Sequence, residues 1–139
     1  MREILFRGKR LDNGEWSYGF YNEFANRCTG EQEHFIQTVK KDGRIDYIRQ
    51  VNPETVGQFT GLTDKNGTKI FEGDILRGSW NTVLTVFYDD IATSFKVKTL
   101  SAMEKEISYY GLDRIEVVGN IHDTPELVED LERSGQNGR

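Results

Sequence analysis

Residues 53–78 read PETVGQFTGLTDKNGTKIFEGDILRG, and the fold is decided in this stretch. Three turn signals stand close together in it: Gly61, the run Asp64-Lys65-Asn66-Gly67, and Glu72-Gly73-Asp74. The β-favouring residues Val56, Phe59, Ile70, Phe71 and Ile75 flank them. Glycine takes a positive φ at little steric cost, and a neighbouring Asn or Asp closes a tight turn by bonding its side chain to the backbone. The spacing predicts a hairpin crossing at Asn66-Gly67, then a sharp bend at Gly73 that launches a buried strand at Ile75-Leu76.

Working outward, the same rhythm extends to both ends of the chain. Ile4 and Phe6 share one face of a first strand, with Glu3, Leu5, Arg7 and Lys9 on the other. Asp12-Asn13-Gly14 turns the chain, and Trp16, Tyr18 and Phe20 fall on one face of a second strand. An aromatic set of that kind either packs a sheet or offers a stacking platform for bases or sugars. Residues 22–31 read as a loop, and strands are expected around Phe35–Val39 and Ile45–Gln50, the second ending before Pro53.

Beyond the central stretch, VLTVFY at 83–88 is apolar on both faces and reads as an interior strand covered on both sides. Phe95 and Val97 make another. Leu100, Met103, Ile107 and Tyr110 lie at helical spacing and predict a short amphipathic helix near 100–110, ended by Gly111. A strand returns at 114–121. Thr124-Pro125-Glu126 then starts a helix over 125–133, with Leu127, Val128 and Leu131 as its apolar stripe. The expected architecture is mainly β: a strongly bent antiparallel sheet or small open barrel resembling SH3-like folds, in one domain over 1–133. The polar residues 134–139 are expected to form a disordered tail.

Composition narrows the function. The chain has 139 residues and a formal net charge of -5, which argues against a general nucleic-acid binder. Aromatic residues make up 12% of it, enough to build a core despite a hydrophobic fraction of 36%. Cys28 is the sole cysteine, so neither an intrachain disulfide nor a cysteine-based zinc site can form, and a reducing cytoplasm is the expected setting. The opening MREILFRGKR breaks its apolar run with charges and is not read as a signal peptide. No run approaches the ~20 apolar residues of a membrane-spanning helix.

Candidate chemistry is sparse. A Cys28–His34 or Cys28–His122 pair lacks a third member and any oxyanion-hole glycines. Asp64, Glu72 and Asp74 gather in the central stretch, but the ligand spacing of a calcium loop is missing, and turn formation explains the same residues. No catalytic, cofactor-binding or metal-ligating residue is assigned. Charge is uneven. Arg2, Arg7, Lys9 and Arg10 face Glu3 alone at the start, while Asp123, Glu126, Glu129, Asp130 and Glu132 face Arg133 near the end. Such opposite ends either lie solvated or attract neighbouring subunits. A basic, aromatic first hairpin (Arg7, Lys9, Arg10, Trp16, Tyr18, Phe20) is the alternative route, to single-stranded nucleic acid. A metal-dependent hydrolase centred on Asp64, Glu72 and Asp74 is a weaker one.

Three blocks carry a family resemblance: REILFRGKRLDNGEWSYG at 2–19, VNPETVGQFTGLTDKNGTKIFEGDIL at 51–76, and VVGNIHDTPEL at 117–127. The chain resembles the YopX family of phage and prophage proteins. The resemblance implies a small, mainly β accessory protein that assembles with copies of itself in the bacterial cytoplasm and has a phage or host protein as a possible further partner. It brings no established activity and no site residues. Its signature falls on the turn residues Asp12, Asn13, Gly14, Asp64, Asn66, Gly67, Gly73 and Asp74, which fits a shared fold better than a shared active site.

Overall fold

The computed structural model describes residues 2–130, so Leu131, Glu132, Arg133 and the expected tail at 134–139 lie outside the described residues. The chain divides into two compact units, Met1–Phe59 and Thr60–Arg139.

The first unit is an antiparallel sheet of β1 (Phe6–Lys9), β2 (Trp16–Ala25), β3 (Gln32–Val39), β4 (Ile45–Gln50) and the start of β5 (Gly57–Thr63), in the order β4-β3-β2-β1-β5. The turn expected at 12–14 is present, with Gly14 at φ 72. The ten-residue strand β2 bends this sheet by changing partners midway. Residues 16–19 pair with β1, while residues 20–25 pair with β3 and extend the strand through what the sequence reads as the start of a loop. Gly19 sits at the changeover, where an added Cβ would lie 2.1 Å from the Gln37 carbonyl oxygen, so only glycine admits that approach. Gly8 works the same way against Val51, whose side chain an added Cβ would meet at 3.0 Å. The sheet stays open, with a single bridge between Arg10 and Val51.

The second unit begins with the rest of β5, which pairs with β6 (Lys69–Phe71). A five-stranded antiparallel sheet follows, in the order β10-β9-β8-β7-β11. Its strands are β7 (Asp74–Arg77), β8 (Val83–Asp89), β9 (Ser94–Lys98), β10 (Glu104–Glu106) and β11 (Glu116–Asn120). The hairpin at Asn66-Gly67 and the bend at Gly73 stand as the sequence predicts. Gly67 and Gly73 adopt φ 79 and φ 86, and Ile75 and Leu76 beyond the bend are fully buried. Ile70, Leu76, Leu84, Val86, Val97, Ile107 and Ile115 form the core of this unit.

Three expectations change in detail. The stretch at 100–110 is no amphipathic α-helix. Ala102 turns the chain at φ 63, residues 104–106 make β10, and only Ile107–Tyr110 wind, as a 3-10 turn ended by Gly111. Ile107 alone of the supposed stripe is fully buried, whereas Leu100 and Met103 face solvent. β8 is central in its sheet, yet its burial alternates, with Thr85 and Phe87 only half-covered. The C-terminal helix is seen over 127–130, one turn after Pro125. The Thr124 hydroxyl bonds back to the Asn120 carbonyl, and the Leu127 N–H donates to the Thr124 carbonyl.

Candidate functional site

Strand register settles which residues share the faces of the first sheet. Phe20 lies opposite Gln37, and Gln37 opposite Ile48; Asn22 lies opposite Phe35, and Phe35 opposite Gln50. Paired residues share a face, and so do alternate residues along a strand. Tyr18, Phe20, Phe24, Val39 and Ile48 therefore project from one side of β2, β3 and β4, and a register shift between Gln37 and Val39 brings Ile45 opposite Val39 on that side as well; each is between 39% and 56% exposed. Phe24 and Phe35 touch there, ring centroids 5.7 Å apart. Six half-exposed apolar side chains amount to roughly 500 Å², at the upper end of what a soluble monomer displays. Amides Asn22, Gln37 and Gln50 separate them, with Glu33 at one end held by Asn26 and Gln50.

The aromatic set Trp16, Tyr18 and Phe20 is thus not a buried packing face. The covered side of the same strand carries Ser17 and Gly19 instead, small residues that let neighbouring chain come close. Register places Lys9 opposite Trp16 and Arg7 opposite Tyr18. The Arg7 guanidinium stacks 4.5 Å from the Trp16 ring centroid, and the Lys9 ammonium lies 5.7 Å from it. Arg7 is itself buried, and Arg10 is held by a two-pronged bond to Asp12 at 2.9 and 2.6 Å. The basic start is therefore largely spent on local contacts.

On the other side of the sheet, the Tyr21 hydroxyl bonds Glu23 Oε1 at 2.6 Å and His34 Nδ1 at 2.5 Å. Burial, reinforced by the Glu23 hydrogen bond and charge, pushes the Tyr21 phenol up from its ordinary value. His34 is thereby committed to β2, and Cys28 lies exposed in the β2–β3 connection, its N–H bonded to Asn26 Oδ1. The Cys28–His34 and Cys28–His122 pairs are not assembled as a nucleophilic set: His34 is bonded to the Tyr21 hydroxyl, Cys28 sits in the exposed connection, and His122 belongs to the other unit.

The acidic residues of the central stretch serve as corners. Asp64, only 6% exposed, accepts from the N–H groups of Asn66 and Thr68 through Oδ1 and from that of Val117 through Oδ2, each at 2.9 Å. It ties its own hairpin to β11. Burial alone would raise its pKa, but these three donors carry it below the ordinary carboxylate value. Asp74, 1% exposed, accepts from the Phe71 N–H at 2.7 Å and so clamps the bend at Gly73. Asn120 plays the same part near the end, accepting from the N–H groups of His122 and Asp123 and donating to the Asp123 carboxylate. Among the described residues no group of three or more His, Cys, Asp or Glu side chains is placed to hold a metal ion. No helix among them is long and apolar enough to cross a membrane.

The family model described as YopX protein matches residues 5–129. A solved structure titled "Crystal structure of protein EF1440 from Enterococcus faecalis" is similar with a TM-score of 0.58 at 23% identity, covering 92% of this chain and 99% of that one. At that identity the likeness is one of fold. No curated protein matches the chain.

Proposed function

The chain belongs to the YopX family, and we propose that it is a protein-interaction module that assembles with copies of itself, serving a phage or prophage in the host cytoplasm. One observation carries the reading: the exposed face of β2, β3 and β4, where Phe20 and Ile48 sit in one cross-strand row with Gln37 between them. Charged residues are nearly absent from its centre and aromatic residues are abundant, the composition of an interface core rather than of ordinary surface. Its roughly 500 Å² is more than half of what one partner contributes to a standard interface. A second copy is the occupant this reading takes, since the face is apolar enough to be self-complementary about a two-fold axis.

The test uses the exposed thiol chemistry the fold allows. With Cys28 replaced by serine and Ile48 by cysteine, labelling of the new thiol slows as the chain is concentrated. A labelling rate independent of concentration up to several hundred micromolar contradicts the reading.

A second reading is favoured by the pairing of Lys9 with Trp16 and Arg7 with Tyr18 beside the open ring of Phe20. Aromatic rings flanked by cations stack single-stranded bases. It ranks second because Arg7 is buried and Arg10 is paired, leaving few cations for phosphate. Titration of the chain with an oligothymidine at low salt, followed by its tryptophan emission, decides it. Saturable binding that weakens steeply with salt supports this reading, and a flat titration removes it.

A further inference from the structure

The side of the first sheet away from the apolar face holds a cluster of ionisable side chains that self-association does not use. Register sets Glu23 opposite His34 and Tyr21 opposite Ile36. Tyr21 and Glu23 therefore stand two residues apart on one face of β2, with His34 diagonal to the phenol. The planes of the phenol and the imidazole are 5° from parallel, their centroids 5.9 Å apart, and the Phe6 ring lies 5.7 Å from Tyr21. The Tyr21 oxygen is 2.6 Å from Glu23 Oε1 and 2.5 Å from His34 Nδ1, and Nδ1 is 3.6 Å from the same carboxylate oxygen.

A hydroxyl has one hydrogen, and Tyr21 makes two short contacts with it. A carboxylate only accepts, and 2.6 Å is the length of a hydroxyl donating to one. The Tyr21 hydrogen therefore points at Glu23, and the hydrogen in the second contact belongs to His34 Nδ1. Burial, reinforced by the Glu23 bond and charge, pushes the phenol up from its ordinary value, so it stays a hydroxyl and transmits a proton without becoming an anion. The chain of bonds runs one way, from Nδ1–H to the phenol oxygen and from the phenol O–H to Glu23. A neutral imidazole carries one ring hydrogen, so with Nδ1 protonated Nε2 is a bare lone pair. Nε2 makes no hydrogen bond among the described residues and is not sealed from water, the His34 side chain being 20% exposed.

We propose that His34 Nε2 is a nucleophilic nitrogen that accepts an acyl group from an activated carbonyl compound, with Tyr21 and Glu23 as positioning residues that orient the ring and take away its proton. A nucleophile whose proton is drawn off by a neighbour, itself oriented by a third group, is the general arrangement of covalent catalysis. In the acylation step the Nε2 lone pair bonds to the carbonyl carbon, and the bond to the leaving oxygen breaks with its electron pair. Acylation alone would leave the ring cationic. Instead Nδ1 passes its proton to the Tyr21 oxygen as the phenol passes its own to Glu23. That carboxylate, 49% exposed, hands the proton to water or to the leaving oxygen. The cluster and the apolar face lie on opposite sides of the sheet, so the site stands whether or not copies of the chain assemble.

Two measurements on the full chain test this. Nitrogen NMR under alkaline conditions, where imidazole is neutral, should find the His34 hydrogen on Nδ1 and none on Nε2. Diethyl pyrocarbonate is the acyl donor for the second, and mass mapping separates His34 from His122, the other histidine of the chain. His34 should be carbethoxylated about tenfold faster in the native chain than in Tyr21→Phe, which keeps a ring against Phe6 but has no hydroxyl to pass the proton. Glu23→Gln separates orientation from proton removal: its amide oxygen still accepts from Tyr21, so the tautomer holds while labelling slows severalfold. A native His34 with its hydrogen on Nε2 overturns the proposal, and that result needs no variant to fold. Equal labelling of His34 in the native chain and in a folded Tyr21→Phe chain overturns it as well. Labelling unchanged by Glu23→Gln overturns the carboxylate as the destination of the proton.

Discussion

Asp64 is the residue on which the second unit's corners depend most, and its replacement by alanine puts a number on that dependence. The side chain accepts three backbone N–H bonds at 2.9 Å, from Asn66, Thr68 and Val117, and is 6% exposed. A hydrogen bond to a charged group contributes about 1.5–3 kcal/mol, and three on one carboxylate overlap rather than add. Water entering the vacated turn restores part of the loss. We expect Asp64→Ala to cost about 3–4 kcal/mol, which at a urea slope of about 1.5 kcal/mol per molar lowers the midpoint by about 2 M. The amides of Asn66, Thr68 and Val117 should also exchange with solvent far faster than in the native chain.

The same carboxylate makes a pH prediction. Its folded pKa lies below the unfolded value of about 3.9, so its contribution is fully present above that value and is lost as pH falls through the folded one. Stability of the native chain should therefore drop as pH falls below about 4, and Asp64→Asn should flatten that part of the profile. An Asp64→Ala chain as stable as the native one, with its Val117 amide still protected, would refute the reasoning. So would an alanine variant that keeps its stability and loses a divalent-cation response, since that would make Asp64 a ligand rather than a corner.

Two further substitutions probe places where the backbone is approached closely. Gly19→Ala drives a Cβ to 2.1 Å from the Gln37 carbonyl oxygen, a backbone atom that no rotamer change can move; the loss should reach about 3 kcal/mol in urea denaturation, and less than about 1 kcal/mol contradicts the assigned β2–β3 register. Gly119→Ala meets the Thr124 hydroxyl at 2.4 Å and Leu127 Cδ2 at 2.8 Å; these are side-chain atoms, so the cost should be smaller, about 1–2 kcal/mol, with amide exchange at Leu127 and Asp130 rising more than in β8.

The middle third of the molecule was legible because its information is local. Gly67 and Gly73 take positive φ, and the apolar residues beside them have one place to go. What Asp64 does beyond its own turn was not legible. Its bond to Val117 spans 53 residues, and no periodicity reports a contact of that length. The stretch at 100–110 misled for a different reason. Apolar residues at 100, 103, 107 and 110 fit a helical period, but a strand followed by a single turn fits it as well, and the left-handed turn at Ala102 separates the two.

The sheet face illustrates a general ambiguity. Alternation in β2 divides Trp16, Tyr18 and Phe20 from Ser17 and Gly19 but does not say which set is covered. Size suggests the aromatics; the structure covers the small residues, because Gly8 and Gly19 are where neighbouring chain passes within van der Waals reach. Small residues opposite a large apolar set are a readable sign of close backbone approach, and they leave the large set for another surface. Charge was equally deceptive in the linear sequence. The basic start dissolves into an Arg7–Trp16 stack and an Arg10–Asp12 pair once the first hairpin forms.

Sedimentation equilibrium of the native chain beside a Phe20→Asp, Ile48→Asp chain tests the central claim most directly. Both positions are about half exposed, at 52% and 55%, so the substitutions should leave each chain folded by circular dichroism. The native chain should then run above its monomer mass at micromolar concentration, and the variant should shift towards the monomer by at least tenfold in dissociation constant. Equal masses for two folded chains, whether both assembled or both monomeric, would contradict the assignment of that face.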